Sequence, residues 1–260
     1  MEIGATLAQL ELFASDPESL SAFYARTFRL HVGRELVILP GEGGQLRRAA
    51  FRFARPCDFE AHRLALQARG VETIEQASGR FTVRDPEGRL ISFLAPAAEP
   101  APGRPRDTLH ARLQHFGVRT PSPEALAHFY VERLGFVVSD RVLDDQGRLT
   151  AAFLRTDAEH HAMAIFRAPM VRFDHFSFET GGWAQLRDWA DHMASVGVDL
   201  AWGIGRHGPG NDTFLMVKDM DDNMGEISCD LEVCTPERPA GIWPHRPQTL
   251  NQWGVAIMRS

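Results

Sequence analysis

Three cysteines in 260 residues (Cys57, Cys229 and Cys234) are too few, and odd in number, for a disulfide framework. They point to a chain kept in a reducing compartment. No apolar run approaches the roughly 20 residues that a membrane-crossing helix needs. The opening MEIGATLAQLELF has no basic stretch leading into an apolar one, so no export signal is expected there. Basic residues form no block and the net charge is −6, which argues against nucleic acid or an acidic membrane as partner. Tyrosine is scarce too, limited to Tyr24 and Tyr130. What these absences leave is a soluble, cytoplasmic protein, and its 44% hydrophobic residues suffice for a substantial core.

What is present is an internal repeat. The segment Ser15 to Leu30 (SDPESLSAFYARTFRL) matches Pro121 to Phe136 (PSPEALAHFYVERLGF) at a fixed offset of 106 positions. Asp16 and Ser122 fall at helix N-caps, and Pro17 and Pro123 at the first helical position, where a missing N–H costs nothing. Leu20, Phe23 and Tyr24 form an apolar helical stripe, as do Leu126, Phe129 and Tyr130. Alternating strands precede both helices, at Leu7 to Phe13 and Leu113 to Arg119. Each copy continues with a strand (Ala49 to Ala54; Phe173 to Glu179), a helix (Asp58 to Arg69; Trp183 to Val196) and two strands around a turn (Phe81 to Pro96; Phe214 to Glu232). The expected architecture is α+β: two tandem domains, each of two βαβββ modules forming a curved, barrel-like mixed sheet around a cavity. The expected bounds are 1–95 for the first domain, 96–108 for a Pro-rich linker, 109–237 for the second domain and 238–260 for a C-terminal strap.

Strand alternation places His115 with Gly117 and Arg119, His175 with Ser177, and Glu226 with Ser228, each set on one face and backed by large apolar residues. Two imidazoles and a carboxylate from three strands suit a mononuclear metal site with open coordination positions. Any one of these residues alone is weak, because a lone histidine is more often surface or structural. The contrast between copies strengthens the case. Gln9 stands 106 positions before His115, aligning FRF with FSF puts Ala50 against His175, and counting from Asp85 and Asp219 puts Ser92 against Glu226. All three ligands are present in the second copy and absent from the first.

With QHFGV around His115, EHHAMAIF at Glu159 to Phe166, DHFSFE around His175 and GRHGPGND at Gly205 to Asp212, the chain resembles the vicinal-oxygen-chelate superfamily (the glyoxalase, bleomycin resistance and dioxygenase fold). Within it the resemblance is to two-domain type I extradiol ring-cleaving dioxygenases. It implies Fe(II), with Mn(II) as the alternative, held by His115, His175 and Glu226, and a metal-free first domain. It implies His161 as an acid–base residue; with Met163 and Ile165 on its face, that imidazole is expected in an apolar wall. It implies His207 in the substrate pocket, in a loop that is otherwise only a Gly- and Pro-rich turn. Met216 departs from the family: it lies nine residues after His207 and ten before Glu226, where a tyrosine is usual. Both tyrosines of this chain instead fit helix cores. Met216 makes the pocket wall apolar and suits a larger or differently substituted ring.

The resemblance therefore implies cleavage of a catechol-type ring next to its diol, with a small aromatic diol and O2 as partners and a homo-oligomeric assembly. The missing tyrosine keeps a second reading open: a lyase, isomerase or hydrolase using the metal as a Lewis acid without O2. A ligand-sequestering protein of the bleomycin-resistance type is a third, against which chain length and the ligand set both argue. The strap, with Trp243, His245 and Trp253, reads as an ordered cover for the site or for a subunit interface.

Overall fold

The computed structural model describes residues 2–29, 33–97 and 109–258. The first half runs β1 (Ala5–Ala14), α1 (Pro17–Phe28), β2 (Leu36–Pro40), β3 (Gln45–Phe53), α2 (Pro56–Ala68), β4 (Glu75–Ala77), β5 (Arg80–Arg84) and β6 (Leu90–Leu94). The second half runs β7 (Ala111–Thr120), α3 (Pro123–His128), β8 (Val137–Leu143), β9 (Leu149–Arg155), β10 (Met163–Arg167), β11 (Arg172–Thr180), α4 (Trp183–Ser195), β12 (Trp202–Arg206), β13 (Thr213–Lys218) and β14 (Met224–Cys229). The strap then adds β15 (Gly241–Pro244) and a single turn, α5 (Pro247–Leu250). Of the expected linker, Pro96 and Ala97 follow β6, and 98–108 lie outside the described residues.

Helix starts follow the sequence signals. Asp16 caps α1 by accepting from the Ser19 N–H at 3.1 Å, and Pro17 and Pro123 sit in the first turns. Ser122 makes no such side-chain bond, and the helix it opens widens into a π-type turn over Phe129–Arg133.

The strands form two open sheets, ordered β2-β1-β3-β6-β5-β4 and β12-β13-β14-β11-β7-β10-β9-β8-β15, with no pairing that closes either one into a barrel. Reversed, the first sheet reads β4-β5-β6-β3-β1-β2 and matches the first six positions of the second. β1 and β2 pair in parallel, as do β7 and β10. Among the described residues, strands β8 and β9 have no counterpart in the first half. Three of the four expected modules are therefore complete βαβββ units, and the first is β1–α1–β2. Length explains the difference: only seven residues, 29–35, separate α1 from β2, too few for two strands and their turns.

The helices lock the halves together. From α1, Tyr24 and Phe28 pack edge-on against Phe176 of β11, with ring centroids 5.2 and 5.3 Å apart. From the second half, Phe136 packs on Phe51 of β3 at 5.3 Å. Both tyrosines are buried, and each donates its hydroxyl to the turn aspartate of the other half. Tyr24 reaches Asp219, and Tyr130 reaches Asp85 at 3.0 Å. Each aspartate also organises its own hairpin, accepting two backbone N–H groups at 2.9 Å. One continuous apolar core spans both sheets.

Candidate metal centre

The central strands of the larger sheet bring His115, His175 and Glu226 together. Across β7 and β11, His115 lies opposite Ser177 and His175 opposite Gly117; across β11 and β14, Ser177 lies beside Glu226. The three potential ligand atoms lie within 4.8 Å of one another, and all three residues are buried. His115 Nε2 is 3.8 Å from Glu226 Oε1.

Two β-bulges set the histidine orientations. Gln114 and Asp174 are the extra residues where the β7–β11 register shifts, so their side chains turn back beside the histidines that follow them. Gln114 Oε1 lies 2.5 Å from His115 Nδ1, and Asp174 Oδ1 lies 2.7 Å from His175 Nδ1. Asp174 is itself fixed by the Arg119 guanidinium at 2.5 Å. With Nδ1 protonated and held by these oxygens, Nε2 of each ring presents its lone pair to the site, the arrangement metal-binding histidines use. Gly117 is required here, because a Cβ on it would lie 2.3 Å from His175 Cε1.

The electrostatics match that role. Burial drives His115 down to about 3, with only partial compensation from Glu226, so the imidazole is neutral at physiological pH. Burial alone would raise Glu226, but the neighbouring His207, His115 and His175 outweigh it and hold the carboxyl near 2. Glu226 Oε1 accepts from Ser177 Oγ at 2.9 Å, whereas the buried Oε2 has no protein hydrogen-bond partner. Two buried imidazoles, an ionised carboxylate and an unsatisfied buried oxygen are what a divalent cation would complete. The residues fit the expected metal.

The other expected site residues line the same cavity. His161 stacks on His115 with centroids 4.3 Å apart, and burial, then the neighbouring histidines, push it well below its ordinary value. Its surroundings differ from expectation. His161 precedes β10 in an irregular stretch, so Ala164 and Phe166 share its cavity, while Met163 and Ile165 enter the main core. His207 follows β12; its Nδ1 lies 2.5 Å from the Leu250 carbonyl and its ring stacks on Phe214 at 3.9 Å. Burial would lower His207, but Asp212 and Glu226 outweigh it and raise its pKa. Asp212 is fully buried with neither carboxylate oxygen hydrogen-bonded, and burial pushes it up to about 7 against the pull of His207. His207, Asp212 and Glu226 thus form a second ligand-like group sharing Glu226. Met216, opposite Glu226 across β13 and β14, contributes an apolar wall with Phe153, Pro209 and Leu250.

The first half is not merely deprived of ligands. Its bulges fall at Ala8 and Arg47, matching Gln114 and Asp174, and the register then pairs Gln9 with Ala50, Glu11 with Arg48, and Ala50 with Ser92. Gln9 and Ser92 are the counterparts of His115 and Glu226, as the sequence alignment has them. The counterpart of His175, however, is Arg48 rather than Ala50: the bulges correspond in the two copies, so the FRF–FSF alignment is itself two residues out and Ala50 answers to Ser177. Arg48 is buried; its Nη1 donates to Ser92 Oγ at 2.5 Å and Thr82 Oγ1 at 3.2 Å, and its Nε lies 3.2 Å from Glu11 Oε1. A fixed guanidinium thus takes the place corresponding to the metal position and opposes any second cation there.

Gln114, Asp174, Asp212 and Leu250 were not legible as site residues, whereas Ser177 shares the His175 face as alternation has it. Strict alternation sends Gln114 and Asp174 away from the ligand face, and Leu250 arrives from the strap. The one available signal was a polar residue directly before each histidine, in QH and DH.

Residues 112–227 match the Glyoxalase/Bleomycin resistance protein/Dioxygenase superfamily. Over 281 aligned residues, covering 95% of this chain and 79% of the relative, the chain is 28% identical to metapyrocatechase 2 of Cupriavidus necator. It superposes on the anaerobic complex of Brevibacterium fuscum homoprotocatechuate 2,3-dioxygenase with 3,4-dihydroxyphenylacetate at TM-score 0.78 and 25% identity, over 97% of this chain and 89% of that one. A Mn(II)-bound glyoxalase from Novosphingobium aromaticivorans superposes at TM-score 0.81 and 20% identity, over 100% of this chain and 93% of that one. At that identity the likeness is one of fold alone.

Proposed function

We propose that this chain, which belongs to the glyoxalase/bleomycin resistance protein/dioxygenase superfamily, is an extradiol dioxygenase that opens a catechol-type ring beside its diol with O2. The observation that carries the reading is the buried face of two imidazoles and one carboxylate, with both Nδ1 atoms beside neighbouring oxygens. Fe(II) is the metal of this reading and Mn(II) its alternative; His115, His175 and Glu226 would hold it. Bound there, the metal supplies coordination for the two adjacent oxygens of the diol and an electron path between ring and O2.

The remaining steps belong to side chains. His161, neutral and facing the site, takes a proton from the diol and returns it during ring opening. His207 is placed to hydrogen-bond the substrate at the opposite wall, in the absence of the usual phenol. Phe153, Phe166, Met216 and Leu250 hold the ring and exclude water. No Arg or Lys side chain is among the residues lining this cavity. The Brevibacterium enzyme's ligand, 3,4-dihydroxyphenylacetate, carries a carboxylate; an uncharged, apolar-substituted catechol suits the present walls better. A cytoplasmic location and a homo-oligomeric state complete the reading.

Anaerobically purified, iron-loaded protein should consume one O2 per catechol and form a yellow ring-opened product carrying both oxygen atoms. Alkyl- or halocatechols should be turned over with at least tenfold higher kcat/KM than 3,4-dihydroxyphenylacetate. His115→Ala, His175→Ala and Glu226→Ala should each abolish stoichiometric iron binding by metal analysis. An iron-replete enzyme that leaves O2 untouched with every catechol would remove the reading in favour of Lewis-acid chemistry.

A further inference from the structure

Among the described residues, β2 ends the smaller sheet with no strand paired on its outer side. Its counterpart in the larger sheet, β10, is covered on that side by β9, which runs antiparallel to it. Without such a cover, the apolar strand LVILP leaves Val37, Ile38 and Leu39 only partly buried. An edge of this kind accepts a further strand. The other sheet ends are less suited. β4 has three residues and β15 four, and beside β12 runs the tail, where Trp202 Nε1 donates to the Val255 carbonyl at 2.7 Å. Hydrogen bonds to β1 fix which groups of β2 point outward. The Leu10 N–H donates to the Glu35 carbonyl at 2.8 Å, and the Gly41 N–H to the Ala14 carbonyl at 3.0 Å. In a parallel ladder, Glu35, Val37, Leu39 and Gly41 therefore face β1, and Leu36, Ile38 and Pro40 turn their backbone groups outward. Pro40 has no N–H, and on the outward side that costs its own sheet no bond.

We propose that β2 pairs antiparallel with β2 of a second copy of this chain, about a two-fold axis at Ile38, so that the six-stranded sheet continues across a dimer. This pairing gives the homo-oligomeric state read above its surface, rests on that reading, and is independent of the chemistry at the metal centre. A two-fold axis perpendicular to the strand brings the two edges together antiparallel, the sense in which β9 covers β10. Centred on Ile38, the register sets Ile38 against its own copy, Leu36 against Pro40 and Arg34 against Glu42. The Ile38 pair exchanges N–H···O bonds in both directions, and each Leu36 N–H donates to the Pro40 carbonyl of the other copy. Pro40 cannot return that bond, and no return is needed, because the Leu36 carbonyl already accepts the Gly33 N–H at 2.6 Å. The flanks are complementary in charge as well. Arg34 and Glu42 are both exposed, and the two-fold axis sets one opposite-charge pair at each end of the joined strands. A slip by one pairing step would set Pro40 against Pro40 in one direction and Arg34 against Ile38 in the other. Only the register centred on Ile38 satisfies backbone and charge together.

Sedimentation of the full chain at micromolar concentration should show a dimer whose dissociation constant rises with salt. Arg34→Glu and Glu42→Arg each set like charges against one another at both ends of the pairing. Each should weaken dimerisation at least about tenfold, with far-ultraviolet dichroism as in wild type. Combining Arg34→Glu with Glu42→Arg should recover wild-type association. An equimolar mixture of the two single variants should form heterodimers, seen by native mass spectrometry, at a concentration where each alone is monomeric. Amide exchange followed by NMR gives the backbone readout. Protection at Leu36 and Ile38 should grow with protein concentration, whereas Val37 and Leu39, which face β1, should be protected at every concentration. Single variants that associate like wild type, a double variant that stays monomeric, or exchange at Leu36 and Ile38 that ignores concentration would overturn this surface. A wild-type chain that is monomeric at every concentration would remove the surface and the homo-oligomeric state together. Catechol turnover by such a monomer would leave the chemical reading standing.

Discussion

Gly117 has no side chain, and that absence makes room for a ligand: the His175 ring lies where a Cβ would stand, at 2.3 Å from Cε1. Gly117→Ala must therefore push the His175 ring off its Asp174 support. We expect iron affinity in a chelator competition to fall at least tenfold, about 1.4 kcal/mol, while the far-ultraviolet dichroism is retained. Unchanged affinity would mean that the ring can shift without cost. At this scale the sequence pointed to the three residues that come together, His115, His175 and Glu226, and was poor about their support. His115, His175 and Glu226 stood out because Gln9 and Ser92 face them in the other copy. Arg48 did not, because matching FRF to FSF sets the two strands two residues out of their structural correspondence.

Among the elements, the strap is the most conditional. β15 pairs in parallel with β8 and forms the edge of the larger sheet, and its fixing point is Asp140. Burial alone would raise that carboxyl, but His160, Arg238 and Trp243 outweigh it and hold Asp140 near 2. A folded-state value below the ordinary one of about 4 means that this contribution is fully present above pH ~4 and is lost as pH falls toward 2. Acidification through that window should release the strap before the sheets unfold, read as a change in tryptophan emission that Trp243→Phe diminishes. A fluorescence change confined to neutral pH, or one coincident with global unfolding, would contradict this. The strap's order was legible from its aromatic and proline content. Its pairing as a ninth strand was not, because Gly241 to Pro244 shows no alternation that sets it apart from a loop. The same limit applies to the first module, whose two missing strands are visible only as a short interval between Phe28 and Leu36.

The whole molecule unfolds, on this architecture, as one unit. Each half inserts a tyrosine-bearing helix against the sheet of the other, and both tyrosines end on a turn aspartate across the divide. A fragment comprising residues 109–260 would expose Phe176 and Phe178, which pack against α1, and should be aggregation-prone or partly unfolded by dichroism. Tyr24→Phe removes one buried hydrogen bond and should cost roughly 1 kcal/mol, observed as a single thermal transition shifted downward. Two separate transitions in the intact chain would show that the halves are independent after all. The repeat itself was plain in the sequence. The exchange between copies was not, since both tyrosines read simply as core residues of their own helices.

The Tyr24 contact has a further consequence. Asp219, which receives that hydroxyl, shapes the turn between β13 and β14, and Glu226 follows within the second of these strands. The half that holds a fixed guanidinium in place of the proposed metal site therefore has a hand on the position of Glu226, a proposed ligand. Random mutagenesis screened for altered turnover should return changes around residues 17–28, far upstream of His115 and Glu226, and a library restricted to the second half would never find them.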